Sequence, residues 1–165
     1  MNSHQHLLRL TGTDDGVLLK FFVNFSRFEY ALKRAGFVTS GEYHSAKANW
    51  RGFAEKVSVG LGDVTEEEFK NAKSYLIKHP PRRQVFRDHS IRWEANGRWN
   101  KESEGQYLLR LVRDVRNNLF HGGKYDNESV DDQSLRNSEL LSASLTILDW
   151  CLKLEDRVKF YFEAD

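Results

Sequence analysis

The chain has 165 residues, and its contents of 39% hydrophobic and 30% charged residues are typical of a folded domain, which excludes an intrinsically disordered chain. Lys and Arg number 25 and Asp and Glu 24, so the formal net charge of +1 provides no general attraction to nucleic acid, and any basic site must be local. The single cysteine, Cys151, excludes a disulfide scaffold and a cysteine-rich zinc module.

The length fits one domain, which we predict to span residues 1–165. The longest apolar stretch runs from Val17 to Phe25 but contains Lys20 and Asn24, so we predict no membrane span. The N-terminal MNSHQHLLRL lacks the long apolar core of a secretory signal. We therefore expect a cytoplasmic protein.

Hydrophobic residues recur at spacings of three and four over most of the chain, and this period is typical of helices that bury one face. Gly36 is expected to end the first helix. Thr65 and Glu68 are spaced as in a capping box at the start of the third helix, and Pro80-Pro81 ends it. The predicted helices run from Val17 to Ala35, from Glu42 to Val57, from Thr65 to His79, from Gln106 to His121 and from about Ser134 to Asp156. Together they predict an all-α fold, a bundle of about five helices.

Residues 82–105 differ in composition from the predicted helices, since they combine five arginines with Phe86, Trp93 and Trp99. Asn96-Gly97 lies between two short basic and aromatic runs, and this dipeptide is typical of a tight hairpin turn. We therefore predict a short irregular or hairpin insertion around 82–105. Its composition is typical of a surface that clamps phosphates and stacks bases, but equally of a solvated face whose tryptophans cover the core.

Standard catalytic and metal-binding patterns do not occur in the sequence. Gly122-Gly123-Lys124 lacks the other residues of a P-loop, and there is no Gly-x-Ser-x-Gly motif. The six histidines form no metal-like cluster, and we expect no metal site at His4 and His6 near the N-terminus. Cys151 lies in an apolar helix and is predicted to be a core residue rather than a nucleophile. We expect neither a metal nor another cofactor.

The run Arg116-Asn117-Asn118-Leu119-Phe120-His121 ends the fourth predicted helix, immediately before Gly122-Gly123. It resembles the motif of the HEPN superfamily (higher eukaryote and prokaryote nucleotide-binding domains). Ribonuclease members of that family carry an Arg, then usually Asn, His or Asp, and a His four to six residues after the Arg. The resemblance covers residues 106–155 most closely. It implies an all-α bundle, a homodimer and a metal-independent endoribonuclease, with a role as a toxin or phage-defence effector.

The resemblance also assigns roles to individual residues. His121 is implied as the general base or acid, because imidazole titrates near neutral pH and RNA supplies its own nucleophile, the 2′-hydroxyl. Arg116 is implied as the clamp on the phosphate and its transition state, and Asn117 as a polar support. Arg113 and Lys124 are predicted RNA contacts. The expected products carry a 2′,3′-cyclic phosphate and a 5′-hydroxyl.

Helical geometry constrains this site. Five residues at 100° each place Arg116 and His121 about 140° apart, whereas Arg113, Asn117 and His121 share a face at spacings of four. Either Arg116 reaches round the helix or its partner histidine comes from a second subunit. The resemblance implies a dimer whose two motifs face each other across the twofold axis, which would resolve this geometry. A further hypothesis is that Glu29, at the edge of the first helix's phenylalanine stripe, orients an arginine of the motif.

Other interpretations stay open beside the enzyme. Arg116 and His121 are also typical of a surface arginine and a histidine that caps the end of a helix, and Lys124 of a solvated loop. The main alternative function is a non-catalytic HEPN-like module that binds RNA, a nucleotide or a partner protein. An antitoxin or regulatory protein is a further predicted partner. Some HEPN toxins are modified by their antitoxin on a tyrosine two residues after the histidine, but Gly123 occupies that position here, so we do not expect that route.

Overall fold

The structure is a computed structural model that describes residues 13, 15–120 and 130–164, with the backbone alone for 130–135. The helices are α1 (Asp15–Arg34), α2 (Trp50–Asp63), α3 (Glu67–Lys78), α4 (Glu104–Phe120), α5 (Val130–Leu154) and α6 (Asp156–Glu163). The strands are β1 (Val38–Ser40), β2 (Ala46–Ala48), β3 (Arg83–Arg87) and β4 (Ser90–Glu94). The described residues are mostly helical, which confirms the all-α prediction in outline, but they also contain two small antiparallel hairpins.

Helix α5 lies at the centre of the bundle. It packs against all five other helices, and its buried residues therefore face several directions. They include Leu141, Ile147, Leu148 and Cys151. Cys151 is fully buried, as predicted, and burial raises the pKa of its thiol far above the ordinary value. No described helix combines the length and apolar character that crossing a membrane requires.

An aromatic cluster joins α1 to α2. Most of the apolar stripe predicted for the first helix is buried, but Phe22 is 45% exposed. Phe28 stacks on Trp50 with 5.5 Å between ring centroids. Phe25 stacks on the same indole at 5.2 Å. Gly36, the predicted terminator, has φ of 95°, a conformation that costs glycine little, and the Phe37 N–H closes the helix end on Leu32 O at 2.9 Å.

The predicted helix from Glu42 to Val57 is wrong over its first half. Strands β1 and β2 pair there, from Val38 with Ala48 to Ser40 with Ala46, and Tyr43 between them is 99% exposed. Residues 38–48 carry no apolar stripe that a helix would bury, so the chain turns back on itself. Helix α2 begins only at Trp50, where the Asn49 side chain caps it by accepting a hydrogen bond from Gly52 N at 3.0 Å.

The capping box predicted from Thr65 and Glu68 is also wrong. Glu66 is the N-cap of α3, and its carboxylate accepts a hydrogen bond from the Thr65 N–H rather than from the helix. The helix ends at Lys78, next to the predicted His79.

The insertion is a hairpin, but its turn is not at Asn96-Gly97. Strands β3 and β4 pair from Arg83 with Glu94 to Arg87 with Ser90. Asp88 and His89 form the turn with φ of 48° and 58°, the left-handed geometry of a two-residue hairpin loop.

The last predicted helices differ from the structure at their ends. Helix α4 covers the predicted fourth helix up to Phe120, and the predicted end at His121 lies outside the described residues. Helix α5 begins four residues before Ser134 and ends at Leu154, and the short helix α6, which no pattern predicted, follows it.

Candidate functional site

Helix α4 carries three arginines, Arg110, Arg113 and Arg116, at spacings of three residues. The helix begins with a capping box that the sequence analysis missed. The Ser103 hydroxyl accepts a hydrogen bond from Gln106 N at 3.2 Å, and the Gln106 side chain accepts one from Ser103 N at 2.8 Å. The apolar stripe of α4 packs into the core with Leu108, Leu111, Val112 and Val115. The arginine row lies outside that stripe, along the side of the helix.

Arg116 is half-buried and held by aromatic rings. Its guanidinium carbon lies 4.7 Å from the ring centroid of Phe120 and 5.8 Å from that of Phe25. Its Nη1 donates a hydrogen bond to Asn117 Oδ1 at 3.2 Å. No carboxylate within the described ranges forms an ion pair with Arg116, so the rings and Asn117 orient its charge and no described acidic group neutralises it.

Arg113 lies about one turn before Arg116 on α4. Arg113 is exposed, yet the pKa of its guanidinium is lowered. The main cause is desolvation of the guanidinium by partial burial. The charges of Asp114 and Glu29 act in the opposite direction, and the positive charges of the neighbouring arginines add to the lowering. An arginine remains protonated in such an environment, so Arg113 is a cation with incomplete hydration.

Glu29 is half-buried, and its carboxylate accepts a hydrogen bond from Trp50 Nε1 at 2.9 Å. Its charge also acts on Arg113. The hydrogen bond therefore holds Glu29 against α2 rather than against Arg116.

Two of the predicted site residues lie outside the described residues, namely His121 and Lys124, as do His4 and His6. The remaining three, Arg113, Arg116 and Asn117, lie together on the last two turns of α4. Asn118 fixes the end of this helix to the insertion, since its Nδ2 donates to Arg82 O at 2.8 Å. Over the described ranges, no group of three or more His, Cys, Asp or Glu side chains is arranged to hold a metal ion.

A pocket of about 420 Å³ lies beside Arg113, between the start of α2 and the side of α4. We call it the α2–α4 pocket. The segment between β4 and α4 forms its third wall. Its lining is Trp50, Arg51, Ala54, Trp99, Asn100, Lys101, Glu102, Gln106, Leu109, Arg110 and Arg113. No local sequence pattern brings these residues together, although the spacing of Arg110 and Arg113 by three residues indicates that they share one side of a helix.

Arg110 attaches the third wall of the pocket to α4. Its Nε and Nη2 donate to the two carboxylate oxygens of Glu102, each at 2.8 Å, and Nη2 also donates to Gly97 O at 2.9 Å. The Trp99 ring lies over the guanidinium, with 3.9 Å from its centroid to the carbon. Burial alone would raise the pKa of Glu102, but the hydrogen bonds and charge of Arg110, with the hydrogen bond from Trp99 N, outweigh it, so that the pKa is lowered.

Asn96 is 4% exposed and joins the insertion to α4. Its Nδ2 donates to Pro81 O at 3.0 Å and to Asp114 Oδ2 at 2.8 Å, while its side-chain oxygen accepts from Arg110. Its backbone oxygen accepts from the Tyr107 hydroxyl at 2.8 Å. Asn96, which was predicted to lie in a hairpin turn, is therefore buried and connects the insertion to α4.

An apolar groove of about 440 Å³ lies on the other side of the motif, where the start of α1 meets the end of α4. Phe22 and Phe120 face each other across it with 5.2 Å between ring centroids. Leu19 is 63% exposed at its edge. The groove is lined by Asp15, Leu18, Leu19, Phe21, Phe22, Leu119 and Phe120.

No family model matches the chain, and comparisons with curated proteins and with solved structures give no significant match.

Proposed function

We propose that the chain is a metal-independent endoribonuclease of the HEPN type, with Arg116, Asn117 and His121 as its catalytic residues. The observation that carries the proposal is the state of Arg116, whose charge is oriented by two phenyl rings and by Asn117 but is not neutralised by a described carboxylate. Such a guanidinium is suited to bind a phosphate, and it lies five residues before the histidine that the motif requires.

The reaction needs no activated water. The base takes the proton of the RNA 2′-hydroxyl, the 2′-oxygen forms a bond to phosphorus, and the bond from phosphorus to the 5′-oxygen breaks. That 5′-oxygen receives a proton and leaves as a hydroxyl, and the phosphate remains as a 2′,3′-cyclic ester. His121 is the proposed proton carrier, and Arg116 stabilises the negative charge that develops on the non-bridging oxygens. Arg113 and Lys124 are proposed contacts to the RNA backbone.

We propose that two copies of the chain form this site. A regular helix separates Arg116 and His121 by about 140°, so one histidine serves the arginine of the other copy. The apolar groove supports this arrangement, because it adjoins Arg116 through Phe120 and offers exposed hydrophobic surface. A role as a cytoplasmic toxin or defence effector, regulated by an antitoxin or another protein, follows from the resemblance and is part of the same proposal.

A cleavage assay on total RNA and transfer RNA in excess EDTA tests the enzyme. We expect the parent to cleave, and Arg116→Ala and His121→Ala each to lose at least about 100-fold in rate, the scale of general acid–base and electrostatic contributions. Product ends are then identified by their sensitivity to a cyclic phosphodiesterase and by labelling of the 5′-hydroxyl.

The matched controls are Arg157→Ala and His79→Ala, which remove an exposed arginine and an exposed histidine from α6 and from the end of α3. Both are expected to cleave at the parent rate. If the parent binds RNA without cleaving it, and Arg116→Ala abolishes binding, the chain is the non-catalytic binding module instead. If EDTA abolished cleavage, the proposed metal-independent mechanism would be rejected.

A further inference from the structure

The α2–α4 pocket has a surplus of positive charge. Four cationic side chains line it against one carboxylate, that of Glu102, and Arg110 neutralises this carboxylate through two hydrogen bonds. The other three cations are Arg51, Lys101 and Arg113. The charges of Asp114 and Glu29 act on Arg113, but neither residue lines the pocket. Arg51 pairs with Glu55 at 3.1 Å only at the surface, where such a pair contributes little and is easily exchanged for another partner. The pocket is therefore suited to an anion.

The pocket also presents a flat aromatic surface. Trp99 is 54% exposed and rests on the Arg110 guanidinium, which fixes the plane of its ring. An exposed tryptophan beside several cations is a combination that recognises a base and its phosphate together, because stacking serves the base and guanidinium groups serve the phosphate. An anion without an aromatic part would not use Trp99.

The wall that carries Trp99 and Lys101 is held in place without a ligand. Trp99 N donates to Glu102 Oε2 at 3.0 Å, and Arg98 Nε donates to Glu102 O at 2.6 Å. Lys101 adopts a left-handed conformation with φ of 65°, which a non-glycine residue keeps only when its surroundings impose it. A preformed wall binds with less loss of conformational entropy than a wall that must fold around its ligand.

We propose that the α2–α4 pocket binds one nucleotide, with the base stacked on Trp99 and the phosphate among Arg51, Lys101 and Arg113. The pocket's volume of about 420 Å³ lies within the range of small-molecule sites. The nucleotide is either free in solution or one unit of an RNA strand. Arg113 lies between the pocket and Arg116, so a strand bound there continues towards the motif. Nucleotide binding in the pocket does not require RNA cleavage at the motif. The failure of one of these two proposals would therefore leave the other standing.

Isothermal titration calorimetry with adenosine 5′-monophosphate tests the pocket directly. Adenosine lacks the phosphate and ribose 5-phosphate lacks the base. We expect each to bind at least ten-fold more weakly than adenosine 5′-monophosphate. Trp99→Ala is expected to weaken binding by roughly five- to 100-fold, and Trp99→Phe to retain most of the affinity. Arg51→Ala removes one charged donor and is expected to weaken binding about ten-fold.

Matched controls come from the same insertion. Phe86→Ala removes an aromatic ring that is 70% exposed, and Arg92→Ala removes a surface arginine. Neither is expected to change the affinity more than two-fold. Circular dichroism and thermal melting verify that each variant is folded.

A second titration distinguishes the two sources of the nucleotide. The probe is a 2′-O-methyl oligoadenylate, which cannot be cleaved because its 2′-oxygen has no proton. If adenosine 5′-monophosphate does not bind but the oligonucleotide does, with losses in Trp99→Ala and Arg51→Ala, the unit belongs to an RNA strand. If neither probe binds, the proposal is overturned. Binding that these two variants leave unchanged would also overturn it.

Discussion

Asn96 connects residues that are distant in sequence, since its side chain bonds to Pro81, Arg110 and Asp114. Replacing it with alanine removes one hydrogen-bond partner from each of these polar groups in a part of the protein that water reaches poorly. We predict that Asn96→Ala lowers the free energy of unfolding by about 1–3 kcal/mol. Urea denaturation followed by circular dichroism measures the change.

The control for this substitution is Asn100→Ala, an exposed residue of the same segment. Its effect is expected to stay within about 0.5 kcal/mol, as for an ordinary surface position. Equal losses in the two variants would mean that Asn96 does not connect the insertion to α4.

Asn96 also illustrates what sequence reasoning misses for single residues. Asn-Gly favours a tight turn when only neighbouring residues are considered. The partners that decide its position, Pro81 and Asp114, lie 15 and 18 residues away, and nothing in the local pattern indicates them. Arg116 and Asn117, in contrast, were predicted as neighbours at the end of one helix because they are adjacent in the sequence.

The contact between α2 and α4 depends on a glycine. A Cβ atom at Gly105 would lie 2.8 Å from Ser58 Cα and 2.6 Å from Ser58 Oγ, distances that real side chains do not reach. The Ser58 and Ser103 hydroxyls meet beside it at 2.6 Å. We predict that Gly105→Ala destabilises the protein by about 1–3 kcal/mol, because overpacking outweighs the better helix propensity of alanine. Thermal and urea denaturation measure it.

Gly62→Ala is the matched control in the same pair of helices. A Cβ atom there meets no atom within 4 Å, so alanine is expected to stabilise the protein by up to about 1 kcal/mol. If Gly105→Ala also stabilised the protein, the two helices would not be in the close contact described.

The success of the predictions for helices follows the strength of their apolar stripes. Phe21, Phe25 and Phe28 of α1 recur at helical spacing and are buried, as are Leu108 and Leu111 of α4. Both helices were predicted within a few residues over the described ranges. The stretch before Trp50 has no such stripe, and the prediction extended α2 too far towards the N-terminus. Helix α6 is eight residues long and buries only Val158, too little to produce a recognisable period.

At the scale of the whole molecule, the proposed dimer depends on the apolar groove. We predict that Leu19→Glu, which places a charge at its exposed edge, shifts the parent dimer to a monomer and lowers RNA cleavage in parallel. Burying an unpaired carboxylate in the interface opposes association. Sedimentation velocity at micromolar concentration measures the first effect and the EDTA-resistant cleavage assay the second.

Val59→Glu is the control, because Val59 is 76% exposed on α2 and does not line the groove. It is expected to remain dimeric and active. A parent that is monomeric and cleaves RNA would contradict the shared site, and Arg116 would then have to reach His121 within one chain.

The candidate site was predictable from the sequence only where it follows one helix. The motif on α4 is a local pattern, and its arginines follow from their spacing. The α2–α4 pocket needs three elements that approach each other only in the folded chain, and the position of Trp99 among them depends on the buried connections of Asn96 and Arg110.

The close approach at Gly105 has a consequence for engineering. Gly105 is next to Gln106, and Ser58 is one turn after Ala54, so this contact between α4 and α2 adjoins two residues of the pocket lining. The side chains that would select a ligand, those of Trp99, Lys101 and Arg51, are not part of that contact. Libraries that vary these three positions would therefore alter the preferred ligand without changing the close contact between α2 and α4.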